Sequence, residues 1–237
     1  SVVIPTLNEE GYLPALLGSL CGSSYPLEVI IVDARSEDST RDIVTKFAQD
    51  SGIDVILIDS SVRRPGTQRN MGARVARHPV LMFVDADVIV PSVDALVGEY
   101  IESTFDIANA RLVHHPHEGT LFIKSLFMVL RAFQRTMLAF NRPFFAGACI
   151  IAKRDFFTRL SGFDESLALA EDVDLSRRAA KIGTCGLLSS PVSTSMRRLD
   201  TLRLRNFLAL LRASPHFLTS GRAPHYLIEH YPFGNFK

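Results

Sequence analysis

Asp85 and Asp87 flank a single alanine at the end of an apolar run, Leu81-Met82-Phe83-Val84. Residues i and i+2 of a strand point the same way, so an extended backbone would bring the two carboxylates together. Carboxylates held close repel unless a cation or a proton sits between them. A hard divalent ion with oxygen ligands meets that need, and a diphosphate is a common substrate that requires such an ion. The structural alternative is an Asp-rich turn after a strand. A second acidic group, Glu171, Asp172 and Asp174, opens a predicted helix over residues 171–182, where acids favour the positive helix end.

The elements that must position these groups are legible from periodicity. Strands are expected at residues 2–5, 28–32, 54–58 and 79–84, with amphipathic helices at 9–21, 39–51 and 66–77. Near-continuous apolar strands alternating with helices imply an α/β fold with a mostly parallel sheet and helices on both faces. Ligands of such sheets sit beyond the carboxyl ends of the strands. Here those ends carry Pro5-Thr6-Leu7-Asn8-Glu9-Glu10, Asp33-Ala34-Arg35-Ser36, Asp59 with Arg63-Arg64-Pro65-Gly66-Thr67, and Asp85-Ala86-Asp87. Four polar ends on one rim make a pocket. The chain has neither G-x-G-x-x-G after a strand nor G-x-x-x-x-G-K-[ST], so no glycine-rich loop cradles phosphates. A metal ion and basic side chains would have to neutralise them, with Arg63, Arg64 and Arg69 placed to do so.

The second half is less regular. Helices are expected at 93–103, 155–160 and 171–182, and strands at 107–113 and 145–152. Residues 120–142 are rich in Phe, Leu and Met, with Lys124, Arg131 and Arg135 interspersed. The expected organisation is an α/β half over residues 1–91, an irregular acceptor-binding and catalytic half of the same domain over 92–195, and a basic helical tail over 196–237. With 47% hydrophobic and 22% charged residues, a sizeable core is affordable, and a net charge of +1 gives no global pull toward nucleic acid or membrane. Three widely spaced cysteines, Cys21, Cys149 and Cys185, read as small core residues in a reducing compartment. No apolar run reaches the length of a spanning helix, and no leader peptide is visible. The expected location is cytoplasmic, with the inner face of the cell membrane as a further option.

The same residues resemble family 2 glycosyltransferases of the GT-A fold, a Rossmann-like α/β architecture with an irregular acceptor-side subdomain. The likeness runs in order from Ser1 to Gly183. It rests on Val3-Ile4-Pro5-Thr6-Leu7-Asn8-Glu9-Glu10, on Ile31-Val32-Asp33-Ala34-Arg35-Ser36-Glu37-Asp38-Ser39-Thr40, on Arg69-Asn70-Met71-Gly72 and on Asp85-Ala86-Asp87. It also takes in Gly147-Ala148, Gly162-Phe163-Asp164-Glu165 and Glu171-Asp172-Val173-Asp174-Leu175. The resemblance implies an inverting enzyme with a nucleotide-diphosphate sugar as donor (UDP first, GDP second), Mn²⁺ or Mg²⁺ as cofactor, and a sugar or lipid acceptor. In that reading Pro5, Thr6, Leu7, Glu9, Asp33, Arg35, Gly66, Arg69, Asp85 and Ala86 form the donor site. Asp33 would hydrogen-bond the base, Asp85 would approach the ribose or the metal, Asp87 would bind the metal directly, and Asp172, beside Glu171, would be the general base. Two departures stand out. Arg35 and Ser39 replace glycines common in the family, and Arg35 either contacts a phosphate or pairs with Glu37 or Asp38, the pairing being favoured. The family's Gln-x-x-Arg-Trp is absent, which argues against a processive polysaccharide synthase.

Residues 120–142 read equally as a core helix or as an interfacial helix with its cations toward lipid phosphates. His114, His115 and His117 read as a solvated strand end rather than a metal site, and His216, His225 and His230 call for the same caution. Rival functions are a polyprenyl-phosphate sugar synthase, a nucleotidyltransferase, and a module that binds nucleotide sugar without turnover.

Overall fold

The computed structural model describes residues 1–115 and 121–195. Its strands are β1 (Val2–Thr6), β2 (Glu28–Asp33), β3 (Asp54–Asp59), β4 (Val80–Val84), β5 (Val88–Ile89), β6 (Ile107–His114), β7 (Cys149–Lys153) and β8 (Cys185–Thr194). Its helices are α1 (Leu13–Leu20), α2 (Thr40–Asp50), α3 (Pro65–Val75), α4 (Val93–Glu102), α5 (Leu121–Ala139), α6 (Arg154–Arg159) and α7 (Glu171–Ala179). All eight strands form one sheet in the order β3-β2-β1-β4-β7-β6-β8-β5. The β3-β2-β1-β4 half is parallel throughout, as its βα alternation requires. Beyond it β7 runs antiparallel to both β4 and β6, and β8 returns parallel to β6. The basic tail over 196–237 lies outside the described residues, as do His117, His216, His225 and His230.

Two cores lie on opposite faces of the sheet, and strand alternation divides them. Val2, Ile4, Val29, Ile31, Met82 and Val84 face α1, α2 and α4. Val3, Ile30, Val32, Leu81 and Phe83 face α3, α6 and α7. A period of two thus buries every residue of β2, on one face or the other. Helix α3 crosses β1 so closely that a Cβ on Gly72 would meet Val3 Cγ1 at 2.4 Å. Gly72 is therefore a packing residue.

Several boundaries differ from expectation. The helix expected from residue 9 starts at Leu13, because Glu9 to Tyr12 form a turn in which Glu9 O accepts from the Tyr12 and Leu13 amides. The strand expected at 145–152 begins at Cys149, and the residues before it form a loop over β6. Strands β5 and β8 were not anticipated. β5 has two residues, and β8 contains Pro191 opposite Arg111 at a register shift, where a missing N–H is tolerated. Cys149 is buried as expected, but Cys21 is exposed, one residue past the end of α1.

Candidate active site

The Asp85-Ala86-Asp87 segment is a turn. Val88 N donates to Asp85 O at 3.1 Å, so the backbone does not stay extended, and the simple i, i+2 convergence expected of the two carboxylates does not hold. The reason is that β4 gives up its ladder after Val84 while the next residues must reach β8 on the far side of the curled sheet. Both carboxylates are nonetheless buried, Asp85 at 7% and Asp87 at 3% exposure. The Ala86 side chain packs into the core.

Arg69 joins this turn to α7. Its Nη2 donates to Asp85 Oδ1 at 2.5 Å and its Nη1 to Glu171 Oε1 at 2.7 Å, with Gly147 O at 3.3 Å from Nη2. The guanidinium also stacks 5.3 Å from the Phe163 ring centroid. Burial opposes its charge, but Asp85, Glu171 and Asp172 outweigh that and raise its pKa. Arg69, expected in the donor site, is only 2% exposed and pairs with two carboxylates. Gly66 plays a related part: a Cβ there would stand 3.2 Å from Glu171 Cγ, so its bareness lets α3 approach α7.

Asp172 sits beside this clamp. Ala170 precedes it in the left-handed region at φ 65°, bending the chain so that α7 begins with its acids turned into the site. A Cβ on Gly147 would lie 3.1 Å from Asp172 Oδ2 and 3.2 Å from Arg69 Nη2. Burial, then the neighbouring Glu171, push the Asp172 carboxyl up to about 7, against the opposing pull of Arg69 and the Val173 and Gly147 amides. A carboxylate poised there can accept a proton near neutral pH.

On the donor side, Asp33 is fully buried and all its capacity is used. It accepts from Ser36 N at 2.9 Å, Ser36 Oγ at 2.5 Å, Thr6 Oγ1 at 3.0 Å and Arg41 Nη1 at 3.3 Å. These bonds shape the 33–36 turn. Thr6 is buried with it, while Pro5, Leu7 and Glu9 stay half-buried on the rim. Arg35 is exposed at φ 60°. The expected pairing of Arg35 is not seen among the described residues: Glu37 meets Arg63 at 3.7 Å, and Asp38 accepts from the Glu10 and Thr40 amides. Arg63 is exposed, and Arg64 donates to Glu165 O at 3.1 Å.

Two parts of the site were not foreseen. Asn109, a lone polar residue in the apolar run of β6, donates to Ala146 O at 2.8 Å and Cys149 O at 2.7 Å. Gln134 of α5 donates to Asn109 Oδ1 at 2.9 Å and Phe144 O at 3.1 Å. Together they hold the loop carrying Gly147. The detectable signal was a buried-type strand interrupted by one amide. Asn70, by contrast, is a staple: it donates to Phe163 O at 2.8 Å and accepts from Phe163 N at 2.9 Å. Gly162 beside it holds φ 70°, where a Cβ would strike Asn70 Oδ1. His114 Nδ1 lies 2.8 Å from His115 O and its ring packs by Phe127, as a strand end would. No cluster of three metal-binding side chains occurs among the described residues.

A divalent ion fits this site by charge and donor type. Asp85, Glu171 and Asp172 gather around one guanidinium, so negative charge is in excess, and Asp87 is buried two residues along the chain from Asp85. Hard carboxylate oxygens in small number suit Mn²⁺ or Mg²⁺ completed by phosphate oxygens.

Residues 1–161 match the family model described as Glycosyl transferase family 2. Over 127 residues the chain is 36% identical to the poly(ribitol-phosphate) beta-N-acetylglucosaminyltransferase TarS of Staphylococcus aureus, covering 52% of this chain and 20% of that protein. It is 25% identical over 195 residues to the O-antigen chain rhamnosyltransferase RfbN of Salmonella typhimurium, covering 77% of this chain and 61% of that one. The S. aureus TarS 1-349 structure in complex with UDP aligns with TM-score 0.64 at 19% identity, over 92% of this chain and 72% of that one. The mannosyltransferase PcManGT from Pyrobaculum calidifontis in complex with GDP-Man and Mn²⁺ aligns with TM-score 0.66 at 21% identity, over 96% and 67%. Such distant structures speak to the fold, which is GT-A. The alignments span only 20% to 61% of these two curated relatives. With more than half of its length matched by the family model, the chain belongs to glycosyltransferase family 2.

Proposed function

We propose that the chain transfers a sugar from a nucleoside-diphosphate sugar to an acceptor hydroxyl in a single inverting displacement, with Asp172 as general base. The acceptor oxygen forms its bond to the anomeric carbon as the bond to the leaving diphosphate breaks. The hydroxyl proton passes to the Asp172 carboxylate, and the bonding electron pair leaves with the diphosphate. The observation that carries this reading is the Arg69 bridge, which joins Asp85, 16 residues further along the chain, to Glu171 of the Glu171-Asp172 pair, 102 residues further along. Arg69 pairs with Glu171 and Asp85, while burial pushes the Asp172 carboxyl up to about 7. Pro5, Leu7 and Glu9 would line the base and ribose pocket, with Asp33 and Thr6 bracing it from behind, and Arg35 is exposed to meet the donor. A divalent cation held by Asp87 and Asp85 would supply Lewis-acid stabilisation of the leaving group.

The test is release of nucleoside diphosphate from a panel of UDP- and GDP-sugars with Mn²⁺, in wild type and Asp172→Asn. Release that is lost with Asp172→Asn and with Asp87→Asn is expected. No release from any donor would favour a binding module, and full turnover by Asp172→Asn would remove the base role.

A peripheral membrane acceptor surface is the second reading, supported by α5. Its outer face exposes Leu121 (83%), Met128 (66%) and Val129 (64%), with Phe140 (71%) just past its end, alongside exposed Lys124 and Arg135. No helix among the described residues is long and apolar enough to cross a membrane, so contact would be interfacial. Flotation with anionic liposomes at low salt should carry the protein upward, and its staying in the dense fraction would defeat this reading.

A further inference from the structure

Arg131 lies on α5, one turn before Gln134, and is an arginine without an acid. Its Nη2 donates to the Leu188 carbonyl of β8, while its Nε and Nη1 are buried with no hydrogen-bond partner. Burial, followed by Arg135 and Arg111, pushes the guanidinium below its ordinary range, and Glu99 is the one acid that opposes them. Glu99 is already engaged: its carboxylate accepts from Ser189 N at 2.7 Å, Ser190 N at 2.8 Å and Ser190 Oγ at 2.6 Å. The ion pairs among the described residues include none of Arg111, Arg131 and Arg135. Buried charged donors left unmet are costly, and like charges from two elements compound that cost. An anion with several acceptor oxygens would remove both penalties.

The place of the cluster points away from the donor. In the sheet β6 and β8 stand two and three strand spacings from β4, roughly 10–14 Å. Along β8, Leu188 is five residues from Ser193, the partner of Ile89, roughly 17 Å. The cluster hangs instead on the scaffold of the catalytic loop. Arg111 follows Asn109 by two residues and Arg131 precedes Gln134 by three, and those two amides hold the loop that carries Gly147 against Asp172.

We propose that Arg111, Arg131 and Arg135 bind a phosphate group carried by the acceptor, set several bonds from the hydroxyl that attacks. This rests on the transfer reading above and gives its acceptor a chemical class: a phosphate-bearing alcohol, either a water-soluble phosphodiester or a lipid headgroup.

Binding of a fluorescein-labelled glycerol phosphate oligomer is measured by anisotropy, with an uncharged oligoglycerol of equal length as control. Flotation with phosphatidylglycerol and with phosphatidylcholine vesicles forms the lipid arm. The proteins are wild type, Arg131→Gln, and the double variant Arg111→Gln/Arg135→Gln, whose sites are exposed and leave the core intact. Phosphate-dependent binding that falls about tenfold or more in the double variant is expected. Its appearance with the oligomer assigns a soluble source, and its appearance only with phosphatidylglycerol assigns a lipid source. Binding equal to the uncharged control, or unchanged in the double variant, overturns the proposal. UDP with Mn²⁺ is titrated in parallel: intact UDP binding without phosphate binding sinks this inference alone, whereas loss of UDP binding in the wild type sinks the transfer reading itself.

Discussion

Replacing Asp172 with Asn should make the protein less active and more stable, with the stability gain growing as pH rises. The Asp172 carboxyl is buried beside Glu171, and its pKa rises from 3.8 to about 7 in the folded chain. An unfolded chain gives up that proton near 3.8, while the native state holds it until about 7. Between those values the native state binds more protons, so stability falls as pH rises and the loss is complete above 7. From pH 5 to pH 8 the wild type loses roughly 2–3 kcal/mol through this one group. Asn keeps the shape and cannot ionise, so the variant should escape that loss. Urea denaturation of both proteins at pH 5 and pH 8 reads the difference, because the effects of titrating groups that do not interact with Asp172 cancel between them. In parallel, wild-type kcat/KM should climb with pH through about 7 as the base is freed, and the variant should show a low, flat profile. Stability curves that run parallel from pH 5 to pH 8 would refute the claim that Asp172 is buried at the expense of its charge. A wild-type rate indifferent to pH over the same range would refute its use as the base.

Arg69→Met should cost about 3–5 kcal/mol in urea unfolding, because it leaves the Asp85 and Glu171 carboxylates buried without their cation; a loss under 1 kcal/mol would show that the bridge is dispensable. Gly72→Ala should destabilise by about 1–3 kcal/mol, since the added methyl overlaps Val3 and α3 must lift from β1; an unchanged thermal midpoint would contradict that packing. Glu28, fully buried and drawing hydrogen bonds from Ser1, Arg77 and His78, is held down to about 2 against the cost of burial. Its contribution should be complete above about 4.5 and vanish as pH falls through about 2, so Glu28→Gln should flatten the acid limb of the stability curve by about 3 kcal/mol. Acid unfolding followed by circular dichroism checks this, and identical limbs would count against it.

Much of the first half was readable because local rules and the tertiary fold agree there. The apolar runs of β1, β2 and β4 are buried on both faces, and helical periodicity located α2 and α3 to within two residues. The second half was harder. Pro191 and the serines of β8 look like loop chemistry, and only pairing with β6 and β5 makes them a strand. Residues 145–148 look like strand, but Asn109 claims the Ala146 carbonyl and pulls them into a loop.

The amino-acid order alone determined which residues could do chemistry: carboxylates at 85 and 87 just past a strand end, and at 171 and 172 at the start of a helix. Periodicity of two and of 3.6 does not depend on distant contacts, so it survives reading in one dimension. Tertiary structure decided what each carboxylate does. A charge's pKa, partner and exposure depend on groups brought near by folding: Arg69 bridges Asp85 and Glu171, Asp33 is spent on its own turn, and Asp172 is driven toward neutrality by burial. Burial and Coulomb energy are properties of distance in space, and for these pairs separation along the chain carries no information about it.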